Sequence, residues 1–388
     1  MNSDQVESIV RRIVVSLRTE TDLAELERAL RSINKGVAEG DERKPTQVAA
    51  ARVLHSSGRF AASARDRDSG PLAQKLALVK DEPVCLKGVH SRLLSLHAQG
   101  HDASRITQII NHEQNLGAGV EQVRATLAEL SKNVGVWANT VLEPVYLNVY
   151  VGFRDIRVQV GDAVLSRRAF YALGVDLHGY RSLLGVWVCE TDATRFWRGL
   201  GNDLKARGVQ DIMLLLLDVD GSCGDGFESV FPAVRMQVHL RDVTWRSMQY
   251  VPKMDGRALR TGLKMLSKAE DEAAAAKLLA DLARQWGERY PYVFNYWQLH
   301  WPMCCWQLSK PPMLRRAMHM DTCLDVIARV FNVIDRYPQP FVDNTLAAHS
   351  IYMLLADAAI AWQKPVVNWR VLLNEFLRDH EPRLRAFL

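Results

Sequence analysis

The feature that most constrains the fold is an uninterrupted apolar run that ends in an acidic residue. Residues Ile212–Leu217 are all large and apolar, and they lead directly into Asp218. A short run of this kind is typical of a strand that is buried on both faces of a sheet. The run therefore predicts a central strand that delivers the Asp218 carboxylate to its carboxyl-terminal end.

Other segments of the chain predict the neighbours of this strand. The segments rich in β-branched, leucine and aromatic residues are Val145–Val151, Ala169–Val175, Ser182–Cys189 and Val234–Val238. A helical stretch, Ala193–Arg207, is followed by Gly208, which is a typical helix end. Several strands followed by a helix and a further apolar strand indicate an α/β protein with a mixed sheet.

The remaining chain is predicted to be mainly helical. Residues 1–82 are interpreted as a helical N-terminal region and a linker, because helical periodicity gives way to glycines and charges. Residues 83–140 predict three short helices, Val89–Ala98, a second helix with Asp102 as its N-cap, and Val120–Leu130. This rhythm is typical of a helix–turn–helix DNA-binding unit, and it fits a small helical bundle without DNA contact equally well.

The cationic residues of this unit are the candidates for DNA binding. Arg124 lies on the predicted reading helix, which is not strongly basic. Arg92, Arg105 and Lys132 are the expected phosphate contacts, because phosphate attraction depends on Lys and Arg rather than on base-specific groups.

Composition limits the class of protein. The formal net charge is +5 and the calculated pI is about 8.8, which permits a polyanionic partner without requiring one. The six cysteines show no zinc-ligand spacing. No run of 18 apolar residues is present and the first residues lack a signal-peptide pattern, so we expect a cytoplasmic protein without a membrane partner.

Several motifs in a fixed order carry a family resemblance. They are VYLNVYVGFRDIRV, the long stretch from RAFYALGVD to KARGVQDI, LDVDGSCGDGFESVFP, QWGERYP and NWRVLLNEF. From about Arg65 to His380 the chain resembles the Mutator-type transposases of bacterial insertion sequences. The resemblance implies an RNase H-like domain at residues 141–388, interrupted by an all-helical insertion at about 255–310 and preceded by the helix–turn–helix unit.

The resemblance also implies a chemistry, which is metal-dependent DNA cleavage followed by strand transfer with Mg²⁺ or Mn²⁺ held on three acids. Those positions correspond to Asn148, Asp218 and Asp325. Asn148 carries no charge where the family has Asp, and Asp325 is one methylene shorter than the Glu of the family. Asp220, two residues beyond Asp218, is a possible substitute ligand.

His239 and Asp242, which stand where the family has a Cys and a His, are a second possible substitute. Their i, i+3 spacing would put both side chains on one face of a helix. Without further ligands, an ordinary polar cluster is the favoured interpretation of this pair.

Three functional hypotheses follow. The first is a transposase-family DNA-binding protein with impaired catalysis, which acts as a regulator or accessory subunit and needs no cofactor. The second is an active cut-and-paste transposase with Mg²⁺ or Mn²⁺ and a substitute ligand. The third is a protein-interaction module on a transposase scaffold. The first two imply double-stranded DNA, at element ends or a regulatory site, and a homo-oligomer or an assembly with a related transposase.

Overall fold

The structure is a computed structural model that describes residues 54–55, 58–59, 87–132, 139–189, 193–218, 224–362, 364–366 and 369–387. The chain divides into two compact units. The described part of the first comprises residues 54–55, 58–59, 87–97 and 101–130, and that of the second comprises residues 98–100 and the described residues from 131 onward. The helical pattern predicted for residues 1–35 lies outside the described residues.

The first unit is built from short helices. They are α1 (His90–Ala98, whose last residue falls in the second unit), α2 (Ala103–Gln114) and α3 (Val120–Lys132). The predicted N-cap is confirmed, since the Asp102 carboxylate accepts a hydrogen bond from the backbone amide of Arg105 at 2.7 Å. Asn111 fixes the connection between α2 and α3, because its side-chain amide bonds both the carbonyl and the amide of Ala118.

The second unit contains a five-stranded mixed sheet, which confirms the predicted α/β class. Its strands are β1 (Val145–Val160), β2 (Ala163–Asp176), β3 (Arg181–Cys189), β4 (Asp211–Leu217) and β5 (Arg235–Val238). The spatial order is β3-β2-β1-β4-β5. The first three strands pair in antiparallel fashion, whereas β1, β4 and β5 run parallel. The run Ile212–Leu217 is therefore a central strand, as predicted.

The β1–β2 hairpin is longer than the sequence analysis predicted. The predicted first strand ends at Val151. Pairing continues to Val160↔Ala163, with Ile156 and Val158 buried and Arg157 between them exposed. The alternation of buried and exposed residues was present in the sequence, but the strand also supports a parallel bridge from Val158 to Phe341 that only the fold reveals.

The sheet is covered on both faces. The helices of the second unit that flank the sheet in sequence are α4 (Ala193–Ala206), α5 (Gly224–Glu228), α11 (Pro312–His319), α12 (Asp321–Ile334), α13 (Asn344–Ala359) and α14 (Trp369–Leu384). Trp197 and Leu200 of α4 pack on one face of the sheet. Phe331 of α12 and Ile351 of α13 pack on the other. This burial fixes which strand residues face each layer.

A separate helical cluster follows β5. Its helices are α6 (Leu240–Ser247), α7 (Lys253–Met265), α8 (Glu272–Trp286), α9 (Pro291–His300) and α10 (Cys305–Leu308). Its core includes Leu259, Leu263 and the fully buried Trp297. The cluster begins at α6 and overlaps the range of about 255–310, whose origin as an insertion stays a prediction. In the described part of the chain, no helix is long and apolar enough to cross a membrane.

Candidate functional site

Asp218 lies at the carboxyl-terminal end of β4, as the sequence analysis predicted. Its backbone amide donates to the carbonyl of Val151 at 3.1 Å, and the amide of His239 donates to the carbonyl of Leu217 at 2.9 Å. The Asp218 side chain is only 5% exposed. A buried carboxylate of this kind needs a compensating charge or several hydrogen-bond donors.

The compensating charge comes from Arg246 in α6. Its Nε and one terminal nitrogen lie 3.1 and 3.2 Å from the same carboxylate oxygen of Asp218. The guanidinium also lies over the ring of Phe153 at 5.2 Å from the ring centroid. The negative charge of Asp218 is therefore compensated by Arg246 of the same chain.

Asp325 has an analogous partner. It lies in α12, which begins at Asp321. Met320 adopts a left-handed conformation that separates α12 from α11. The Asp325 side chain is 61% exposed, and a guanidinium nitrogen of Arg241 lies 2.9 Å from one of its carboxylate oxygens. Arg241 and Arg246 both belong to α6, so one helix supplies a cation to each of the two acids.

Asn148 lies apart from Asp218. The pairing of β1 with β2 shifts register between Tyr146 and Asn148, whereas the parallel pairing of β1 with β4 is continuous and places Asn148 opposite Leu214. Asp218 lies four residues beyond Leu214, which is about 13 Å further along β4. The buried Asn148 amide donates to the carbonyl of Met318, and its Oδ1 has no hydrogen-bond partner among the described residues. The amide thus joins β1 to α11.

A buried polar group lies next to Asp218. Tyr150 donates its hydroxyl to Asp242 at 3.0 Å, and its ring packs edge-on against His239. Burial, and then the nearby charge of Asp218, raise the pKa of Asp242 to about 6. The sequence suggested Asp242 either as a metal ligand or as part of an ordinary polar cluster, and gave no sign of the contribution of Tyr150.

Both ring nitrogens of His239 are already used. Nδ1 accepts the backbone amide of Arg241 at 3.1 Å, because His239 is the N-cap of α6. Nε2 lies 2.9 Å from the carbonyl of His319, which can only accept, so Nε2 carries the proton. His239 therefore offers no lone pair to a metal ion. The His239–Asp242 pair is structural in this conformation.

The arrangement does not fit the metal site that the family resemblance implies. Over the ranges that the structure describes, no three His, Cys, Asp or Glu side chains are grouped so that they could hold a metal ion. Asp220, the possible substitute ligand, lies outside the described residues. Asp218 and Asp325 face arginines, and the third position is a neutral amide at another point of the sheet.

The predicted DNA contacts of the first helices differ in their surroundings. Arg92 forms a bidentate, partly buried ion pair with Glu113, in which two guanidinium nitrogens lie 3.0 and 2.6 Å from the two carboxylate oxygens. Arg124 pairs with Glu121 on the surface of α3. Arg105 and Lys132 are exposed. Their role in DNA binding stays a prediction.

Comparison with known proteins decides the family. The profile described as "Transposase, Mutator family" matches residues 78–365. The chain belongs to the Mutator family of transposases. The match covers most of the chain, including both arginine-paired acids.

Relatives within the Mutator family are transposases of insertion sequences. The chain is 25% identical over 288 residues to a probable transposase for an ISRM3-like element of Sinorhizobium fredii and to the ISRM3 transposase of Rhizobium meliloti. Each alignment covers 74% of this chain and 72% of the relative. A probable transposase of Corynebacterium diphtheriae is 21% identical over 266 residues, which are 68% of this chain and 78% of the relative.

Proposed function

We propose that this chain is a DNA-binding member of the Mutator transposase family in which metal-dependent strand cleavage is impaired. The observation that carries the proposal is the buried ion pair between Asp218 and Arg246. Asp218 is the one metal-binding position that retains the residue of the family, and its carboxylate is committed to a guanidinium.

The ion pair opposes metal binding for two reasons. Mg²⁺ requires near-octahedral oxygen ligation and is usually held by one or more carboxylates, whereas here each remaining acid has a cation as its partner. Binding of a metal ion at Asp218 would also displace Arg246 from a buried carboxylate. Separation of a buried ion pair is costly, because each charge is left without compensation.

We also propose an RNase H-like domain, a helix–turn–helix unit and double-stranded DNA as the partner. The mixed sheet with helices on both faces fits an RNase H-like domain, and α1–α3 fit a helix–turn–helix unit. The partner is double-stranded DNA at element ends or at a regulatory site. Transposases of this type join two DNA ends, so the active form is a homo-oligomer or an assembly with a related transposase, in which this chain acts as a regulator or accessory subunit.

The DNA-binding part is tested by sequencing the DNA that crosslinks to this protein in its own cells. Enrichment at inverted repeats or at one regulatory region is the expected result. Absence of enrichment would contradict the proposal and favour a protein-interaction module.

The catalytic part is tested on the enriched DNA. Wild-type protein and Asp218→Asn are incubated with that DNA and Mg²⁺ or Mn²⁺, and nicked and joined products are measured. We expect both proteins to give the same low background. Cleavage by the wild type that disappears in Asp218→Asn would show an active transposase with a substitute ligand.

A further inference from the structure

Helix α7 carries a continuous row of positive charges. Lys253, Arg257, Arg260 and Lys264 are all exposed and follow one another at intervals of four, three and four residues. Side chains at these intervals lie on one face of a helix. We call these four residues the α7 stripe. Within the described part of the chain, none of the four pairs with a carboxylate.

The acidic residue of α7 is directed elsewhere. Asp255 pairs with Arg289 at 2.7 Å and accepts the hydroxyl of Tyr290 at 2.5 Å. Asp255 is only partly exposed, and its charge is already compensated. The positive potential of the α7 stripe is therefore not cancelled by its own helix.

An exposed aromatic side chain borders the α7 stripe. Trp245 is 63% exposed, and the guanidinium of Arg260 lies over its ring at 5.6 Å from the centroid. Tyr250 and Met254 are also highly exposed. Trp245 therefore presents an apolar ring beside the cations, where it can pack against the sugars of a bound strand.

The helix that carries the stripe is held firmly. Its opposite face is buried through Leu259 and Leu263. After its C-terminal end, the carbonyls of Leu266, Ser267, Ala269 and Glu270 accept hydrogen bonds from the buried side chain of Arg315. The stripe is thus presented on a fixed scaffold, which lowers the entropy lost on binding.

From this arrangement we infer that the α7 stripe binds the sugar–phosphate backbone of duplex DNA, with Trp245 at the edge of the contact. From Lys253 to Lys264 the stripe extends about 16 Å, at 1.5 Å per residue. This length corresponds to about five base-pair steps of 3.4 Å along one strand, so several phosphates lie within reach. The inference rests on the proposed DNA binding and adds a contact surface outside α1–α3.

A membrane surface is a poorer partner for the same helix. Interfacial helices bury an apolar face among lipid chains, whereas the apolar face of α7 is already packed into the protein core. Duplex DNA requires only the charged face, which is the one that α7 exposes.

The test compares two charge-matched variants of the full chain. Arg257→Gln, Arg260→Gln and Lys264→Gln together remove three charges from the α7 stripe. The control removes three exposed charges from α4, through Arg195→Gln, Arg198→Gln and Lys205→Gln. Helix α4 belongs to a different hydrophobic cluster, and both variants lower the net charge equally. Binding to a labelled 30-base-pair duplex is measured by fluorescence anisotropy from low to high KCl.

We expect the α7 variant to lose at least about tenfold in affinity at low salt, whereas the control loses less than about threefold. The slope of log affinity against log salt should fall by about 2–3 in the α7 variant, because each lost phosphate contact contributes about 0.9. Circular dichroism and denaturant unfolding check that both variants fold. Arg257→Gln alone, expected to lower the slope by about one, provides the test if the triple variant fails to fold.

Each remaining outcome overturns the inference in a recognisable way. Equal losses in both variants would mean that only net charge matters. An unchanged α7 variant, with wild-type protein that still binds duplex DNA, would reject the stripe and leave the proposed function intact. The wild-type protein is titrated in parallel with a 30-nucleotide single strand and with anionic vesicles. Binding to either that is tighter than to the duplex, or no binding to the duplex, would reject both the α7 stripe as a duplex contact and the proposed binding of double-stranded DNA.

Discussion

Arg246 directs two nitrogens at one carboxylate oxygen of Asp218, at 3.1 and 3.2 Å, in a site where the carboxylate is almost fully buried. An aspartate that holds metal in an active transposase would have to be open to a divalent ion. Here the carboxylate has a structural partner from the helix that follows the neighbouring strand. Loss of this ion pair should therefore lower the free energy of unfolding.

Removal of the Arg246 charge should destabilise the fold. In Arg246→Met the Asp218 carboxylate stays buried without compensation, which typically costs about 3–5 kcal/mol. The free energy of unfolding is measured by urea denaturation at pH 7. The matched control is Arg241→Met, which breaks the exposed pair with Asp325 and should cost less than about 1 kcal/mol. Equal costs for the two variants would contradict this account of Asp218.

Asp242 should make stability depend on pH. Its pKa in the folded protein is raised from the ordinary 3.8 to about 6, so the folded state binds this proton more tightly than the unfolded chain. The stabilisation is fully present below about pH 4 and is lost as pH rises through about 6. Relative to wild type, Asp242→Asn should therefore gain about 1–3 kcal/mol between pH 4 and pH 7.

Unfolding of both proteins across that pH range provides the measurement. The exposed Asp162→Asn, at the tip of the β1–β2 hairpin, is the control and should show no such relative gain. A constant difference between Asp242→Asn and wild type would show that Asp242 titrates normally.

Restoration of the family acid at position 148 should be harmful rather than useful. In Asn148→Asp a buried carboxylate would face the carbonyl of Met318, which now accepts a hydrogen bond from the amide. An unpaired buried charge of this kind costs several kcal/mol, and the cost falls at low pH where the acid is protonated. We expect a loss of about 2–4 kcal/mol at pH 7 in denaturant unfolding.

Asp325→Glu, the other substitution that restores a family acid, changes an exposed side chain and should be nearly neutral in stability. An Asn148→Asp variant that is as stable as wild type would indicate that position 148 is open to water or cations.

Arg315 should hold the helical cluster together. Its buried guanidinium donates to backbone carbonyls at the end of α7 and in the segment that follows. Arg315→Met removes this side-chain donor from the carbonyls, so local unfolding should precede global unfolding. Hydrogen exchange of the α7 amides is the measurement, and protection should fall in Arg315→Met but not in the surface variant Arg316→Met. Unchanged protection would show that packing alone fixes α7.

Local signals in the sequence predicted the scaffold well. The run before Asp218 identified the central strand, and Asp102 identified the start of α2, because both depend on neighbouring residues only. The length of β1 was underestimated because Gly152 interrupts its pattern. That glycine is required by the fold, since a Cβ there would lie 2.6 Å from the hydroxyl of Tyr171 and 2.7 Å from the ring of Tyr150.

The partners of the acidic residues could not be predicted in the same way. Arg246 lies 28 residues from Asp218 in sequence, and Asn148 lies 170 residues from Met318, so no periodicity connects them. The parallel register that places Asn148 opposite Leu214, four residues before Asp218, also has no distinct residue pattern. The family resemblance pointed to Asn148, Asp218 and Asp325. Only the three-dimensional arrangement reveals the distinct surroundings of each of these residues.

The most direct test of the central claim is a titration of Mn²⁺ into wild-type protein and Asp218→Asn, with free Mn²⁺ followed by electron paramagnetic resonance. If Arg246 occupies the Asp218 carboxylate, both proteins should bind Mn²⁺ equally weakly. A site with a dissociation constant in the micromolar range that is present in the wild type and absent from Asp218→Asn would contradict the account.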